Sequence, residues 1–208
     1  MPRERRNEGS GKLGFYIDTN IALDYGTGRN AETVSALDGL KEMGSILISS
    51  SFLVMEAADF RKDFVYIHRK AVEESWGARK ILRQVYNKDL KYGDFWNVED
   101  WIKKLTDKLG LQIYNFLMDG ETWEMAQYIS LYSNLSAPDA IHLSSAIVVA
   151  QSGLKVGNET IECKKFISND NFLKQEAEKI KKQQGILYPV VLTIAQIKNR
   201  LKEKRNKT

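Results

Sequence analysis

The 208-residue chain reads as an α/β protein, a parallel sheet sandwiched between helices, and three observations carry that expectation. An apolar strand, a helix and a second apolar strand succeed one another at the start, a βαβ unit that implies a right-handed crossover and parallel pairing. Two further apolar segments of strand length alternate with helical ones near the C-terminus. Finally, acidic residues recur where apolar segments turn toward helices, the edge at which open parallel sheets gather their reactive groups.

In chain order, residues 1–12 are charged and aperiodic, so disorder is expected there. Gly14–Ile17 reads as a buried strand. Ala31–Met43, with Val34, Leu37 and Leu40 at helical spacing, reads as a helix closed near Gly44, and Ile46–Ile48 as the second strand. Ser49, Ser50 and Ser51 offer caps for a helix running through Glu56 toward Arg69. Residues 70–135 look almost wholly helical, with breaks near Gly93, Gly110 and Gly120 and no convincing strand; they form an all-helical elaboration between the second helix and the Asp139 helix. Asp139–Ala150 is a helix of small and apolar residues, Phe166–Ser168 a third strand, Phe172–Lys182 a helix, and Ile186–Leu192 a last strand with Pro189 suited to an edge. A basic helix, Ile194–Lys204, closes the chain. The core domain therefore spans residues 13–192, followed by a basic helix and tail over 193–208.

Composition narrows the function. Charged residues at 28% and hydrophobic ones at 43% describe an ordinary globular protein. No run of about 18 uncharged apolar residues exists to span a bilayer, and the Arg-rich start lacks the apolar stretch of a secretory signal. The single Cys163 forms no internal disulfide, so the expected location is the cytoplasm. Charge is uneven: residues 181–208 hold eight Lys or Arg against Glu203, a charge of +7, so the first 180 residues sum to −3. A basic end carrying Lys198, Arg200, Lys202, Lys204 and Arg205 beside an acidic body is one way to hold a polyanion, or simply a solvated helix end.

Four acids stand out: Asp18 after Phe15-Tyr16-Ile17, Glu56 in Phe52-Leu53-Val54-Met55-Glu56, Asp139 after Ser136-Ala137-Pro138, and Asp170 after Ile167-Ser168-Asn169. Each has a local reading as well. Asp18 can cap the helix after it, Ser136 to Asp139 matches a capping box with Pro in the first turn, and Asp170 or Asn169 can cap the helix near Phe172. Glu56 shares a helical face with Phe52 and Phe60, so it points inward if they do, and an inward acid needs a cation or hydrogen bonds. Four carboxylates drawn to one edge repel one another unless a cation sits between them, and a hard divalent ion is the partner phosphate chemistry uses.

Asp18-Thr19-Asn20 after a strand, the isolated Glu56, Pro138-Asp139-Ala140-Ile141-His142-Leu143 opening a small-residue helix, and Ser168-Asn169-Asp170-Asn171-Phe172 after a strand together resemble the PIN domain, the nuclease fold of VapC-type toxins. The resemblance covers residues 13–60 and 136–192, about half the chain. It implies a Mg²⁺- or Mn²⁺-dependent ribonuclease with Asp18, Glu56, Asp139 and Asp170 as catalytic and metal-binding residues, and Thr19, Asn20, Ser168 and His142 supporting them. It also implies an antitoxin partner if the chain is a toxin, and a homodimer. The long 70–135 segment departs from a minimal toxin of this kind.

The sequence is also compatible with two other classes, a catalytically silent RNA- or protein-binding scaffold and a phosphotransferase or phosphatase of a different doubly wound fold using Asp18 as nucleophile. The second lacks its usual acid two residues on, where Asn20 stands. No Gly-x-Ser-x-Gly elbow or Gly-rich phosphate loop is present, and with His68 the only other histidine a His-rich zinc site is not expected. The four tryptophans, Trp76, Trp96, Trp101 and Trp123, lie among basic residues in the helical segment, where they can stack bases or pack the added helices on one another or on a second copy.

Overall fold

The computed structural model describes residues 13–60, 98–116, 120–156 and 159–205. The N-terminal segment 1–12, Trp76, Trp96, His68 and all of the basic residues between 69 and 91 lie outside them. The chain is an α/β fold around a mostly parallel sheet. Strands β1 (Leu13–Ile17), β2 (Ile46–Ser50), β3 (Gln112–Tyr114), β4 (Leu154–Val156) and β5 (Glu159–Ile167) lie in the order β3-β2-β1-β5-β4, and β6 (Val190–Leu192) also pairs with β5. All pairings are parallel except the β4–β5 hairpin.

The βαβ unit forms where the apolar runs put it, with two helices in the crossover, α1 (Thr19–Thr27) and α2 (Ala31–Glu42). Asn30 caps α2 by accepting from the Glu32 and Thr33 amides, and Gly44 ends the turn after it with φ +73°, a conformation glycine takes without a Cβ penalty. After β2, Ser50 Oγ accepts from the Phe52 amide at 3.1 Å and starts α3, residues 52–60 as described.

Alternation along the central strands divides the core. Phe15, Ile17 and Leu47 face a layer built by α1, α2, α3, α4 (Val98–Lys103) with its following π-helical turn (Lys104–Leu109), and α8 (Ile194–Arg205). Tyr16, Ile48 and Phe166 face the opposite layer, built by α5 (Gly120–Tyr132), α6 (Ala137–Ser152) and α7 (Asn171–Gln184). Among the described residues no helix is long and apolar enough to cross a membrane.

Three expectations need correction. The segment expected to be helical throughout contributes β3, which pairs with Ile48–Ser50 and extends the sheet by one strand. The third strand runs from Glu159, not Phe166, because its polar first half forms the outer hairpin with β4. The last strand is only Val190–Leu192, and Leu187 stands exposed before it.

The basic C-terminal segment is a docked helix over its described length. Thr193 and Gln196 form a reciprocal capping box, Asn169 Oδ1 accepts from the Ile194 amide at 3.0 Å, and Ile194, Ile197 and Leu201 enter the core. Lys198 pairs with Glu32 at the start of α2, while Leu201 packs on Gly39 near its end. A Cβ on Gly39 would lie 2.9 Å from the Leu201 side chain. Helix α8 therefore runs alongside α2, from the edge where the parallel strands end toward the edge where they begin.

Candidate active site

The carboxyl edge of the sheet receives Asp18 from the β1–α1 junction, Glu56 from α3, Asp139 from the first turn of α6, and Asp170 at the cap of α7. Each is held by one oxygen. Ser168 Oγ donates to Asp18 Oδ2 at 2.8 Å, and Ser136 Oγ donates to Asp139 Oδ2 at 2.6 Å. Asp170 Oδ1 accepts from the Phe172 and Leu173 amides at 2.7 and 3.1 Å. Glu56 Oε2 accepts from Thr19 Oγ1 and meets His142 Nε2 at 2.5 Å. The local capping geometry at Ser136–Asp139 and at Asp170 is thus present, and in both cases a second carboxylate oxygen has no hydrogen bond to another described residue. Asp18 sits at the cap position of α1 without capping it.

Electrostatics ties the four acids together. Asp18 is 3% exposed, and burial pushes its carboxyl up to about 6 from the ordinary 3.8; His142 and the Ser168 hydroxyl pull it back, and the charges of Glu56 and Asp139 push it further. Burial likewise raises Asp139; the Ser136 hydroxyl opposes this, the charges of Asp170 and Glu56 add to it, and His142 lowers it again. Acids from four separate chain segments therefore share one field.

His142 is the hub. It is 1% exposed, with Tyr16 Oη 2.8 Å from Nδ1, Thr19 Oγ1 2.9 Å from Nε2, and the Phe52 ring edge-on at 5.9 Å. Burial alone would lower its pKa, but the hydrogen bond and charge of Glu56, with Asp18 and Asp139, raise it above the ordinary 6.5. The inward glutamate is thus satisfied by hydrogen bonds, and of its expected companions Phe60 is exposed, with the Arg29 guanidinium over its ring.

Of the expected supporting residues, Thr19 and Ser168 donate to these acids. Asn20 does not. One residue past Thr19 on the helix its side chain turns outward, and it is exposed. Tyr16 is a site residue the sequence reading missed; a tyrosine in a buried apolar strand is a polar group that needs a partner, and that was its only signal.

Topology carries the basic helix away from the acids. Because α8 starts beside Asn169 and runs toward the amino edge, Arg200, Lys202 and Lys204 lie progressively farther from the site at about 1.5 Å per residue. Lys198 is engaged with Glu32, and Arg200 and Lys204 instead approach Lys165 on β5, whose ammonium is lowered first by burial and then by these two like charges. Arg205 ends the same helix. Trp101 is buried against Gly26 of α1, which is packing, whereas Trp123 is half exposed on α5.

No protein-family model matches this chain, and no curated protein sequence does. Among the described residues no three acidic, imidazole or thiol side chains are gathered, as placed, into a group that could hold one ion. The donors nevertheless suit a hard divalent cation more than zinc: they are carboxylate oxygens, His142 is already committed to Tyr16, Thr19 and Glu56, and burial pushes the Cys163 thiol up to about 12.

The sign of the pH dependence follows. A carboxyl raised on folding binds protons more tightly in the folded state, so its contribution to stability is present below pH 4 and is lost as pH rises to about 6. His142, raised above 6.5, contributes in the same direction at higher pH. In EDTA, the unfolding free energy of the wild-type chain measured relative to Asp18→Asn is expected to fall between pH 4 and 6, and a difference that stays flat over that window would contradict the burial of an unpaired carboxyl.

Proposed function

We propose that this chain is a metal-dependent nuclease that hydrolyses phosphodiester bonds in RNA, built on a PIN-like domain. The observation that carries the reading is the convergence of Asp18, Glu56, Asp139 and Asp170 into one field at the carboxyl edge, each with one oxygen fixed and the other available. Asp18, Asp139 and Asp170 would hold Mg²⁺ or Mn²⁺, with Glu56 completing the set. When bound, such an ion acidifies a water for attack on phosphorus and offsets charge on the leaving oxygen.

The protein's own groups do the positioning. The Ser168 and Ser136 hydroxyls fix the orientation of Asp18 and Asp139, and α7 directs its first free amides onto Oδ1 of Asp170, which orients that carboxyl. His142 and Thr19 turn Glu56 by one oxygen. Phe172, 47% exposed and two residues after Asp170, offers a ring on which a base at the site can stack.

By the resemblance to PIN domains, the products are expected to carry 5′-phosphate and 3′-hydroxyl ends. The wild-type chain with Mn²⁺ is expected to cut an end-labelled RNA that Asp139→Asn leaves intact, both proteins having the same circular dichroism. A wild-type chain that cuts no RNA and gains no thermal stability from Mn²⁺ would overturn the reading, because a ligand that binds the folded state must raise its stability.

A further inference from the structure

One buried chain of hydrogen bonds reaches Glu56 from the far side of the sheet. The Ser50 amide donates to Tyr16 Oη at 3.2 Å, Tyr16 Oη lies 2.8 Å from His142 Nδ1, and His142 Nε2 lies 2.5 Å from Glu56 Oε2. Tyr16 is fully buried, with its ring edge-on to Phe166 at 5.2 Å and to His142 at 5.9 Å, so the position of its hydroxyl is set by packing.

Donor and acceptor balance fixes the direction of the chain. Thr19 spends its single hydroxyl proton on Glu56 Oε2, so the proton between Glu56 and the imidazole must come from Nε2. The neutral ring then accepts the Tyr16 proton at Nδ1. An imidazolium would instead donate from Nδ1 to the second lone pair of the same hydroxyl. In both charge states Tyr16 Oη and Nδ1 are partners, and Nε2–H faces the carboxylate.

We propose that Tyr16 is a positioning residue of the acidic site: through Nδ1 it holds the His142 ring so that Nε2–H pins Oε2 of Glu56, leaving Oε1 as the oxygen available to a cation shared with Asp18 and Asp139. Without the Tyr16 hydroxyl, Nδ1 has no described hydrogen-bond partner, the ring can adopt the other tautomer, and an Nε2 lone pair would then face the Glu56 carboxylate. Groups that act through a ligand in this way typically change metal affinity 10- to 100-fold.

The inference rests on the proposed metal site, so the test reads the ring and the ion separately. In full-length protein carrying ¹⁵N-histidine, without metal at a pH where the ring is neutral, His142 is expected as the Nε2–H tautomer, and Tyr16→Phe is expected to show a mixture. Mn²⁺ affinity, followed by the electron paramagnetic resonance of the free ion, should fall about 10- to 100-fold in Tyr16→Phe. An unchanged tautomer, or a changed tautomer with wild-type Mn²⁺ affinity, would overturn the proposal. If the tautomer changes but the wild-type chain takes up no Mn²⁺, the metal-site reading falls and the hold of Tyr16 on the ring stands. Should Tyr16→Phe not fold, His142→Gln and His142→Leu decide the matter: glutamine can present an N–H to Glu56 and should keep Mn²⁺ affinity within a few-fold, whereas leucine should lose it, and equal affinities would refute the role of the ring.

Discussion

Asp18→Asn is expected to abolish Mn²⁺-dependent cleavage, by about 10³-fold or more, while making the metal-free protein more stable at neutral pH. The two effects share one cause. Asp18 is buried beside Glu56 and Asp139, and its carboxyl is pushed up to about 6, so ionising it at pH 7 costs the fold about 1–3 kcal/mol in the absence of a cation. Asparagine keeps an oxygen for the Ser168 hydroxyl and removes the charge. Thermal unfolding in EDTA with a parallel cleavage assay checks both halves. An inactive variant that is also markedly less stable would mean that Asp18 serves the fold, and an active one would remove it from the chemistry.

Gly26→Ala is expected to destabilise the protein by about 2 kcal/mol, against the usual sign for glycine in a helix. Alanine in place of an interior helical glycine ordinarily gains up to about 1 kcal/mol. Here a Cβ would fall 2.0 Å from Trp101 Nε1 and 2.1 Å from its Cδ1, with the indole itself buried against α1, so either the ring or the helix must move. Lys104 fastens the same junction by donating to the Gly26 carbonyl at 2.6 Å. A lowered midpoint in denaturant with unchanged slope is the expected result; a raised midpoint would show that the α1–α4 contact yields easily.

The elements written plainest in the chain were those whose apolar runs are buried on both faces. Phe15-Tyr16-Ile17 and Ile46-Leu47-Ile48 admit few alternatives to central strands, and Gly44 marks the helix end between them. Gln112-Ile113-Tyr114 is different. Three partly buried residues carry no period of their own, and only the neighbouring edge of Ile48–Ser50 makes them a strand. The outer half of β5, Glu159-Thr160-Ile161-Glu162, was hidden by its polarity, which reflects an edge position.

The positions of the acids at strand ends and on one helix face were legible, although three of them read equally as local caps. What they touch was not. His142 meets Tyr16 across 126 residues of sequence and Glu56 across 86, and no local spacing announces such a pair. The misplacement of Asn20 has a simple origin: Asp18 and Thr19 use the inner side of the first turn of α1, and one further residue rotates the next side chain by about 100°. The charge of the C-terminal helix was legible, but its direction depends on β6 lying parallel to β5, which composition does not contain.

The way β5 is paired bears on how the folded chain meets its neighbours in a crowded solution. Along one side it is bonded to β1, and the other side is divided between β4 near its beginning and β6 near its end, while at the opposite border of the sheet β3 is only three residues long. Among the described residues, a foreign polypeptide seeking to zip onto the sheet therefore meets short, interrupted rails rather than one long row of vacant amides and carbonyls, and strand addition gains little foothold there.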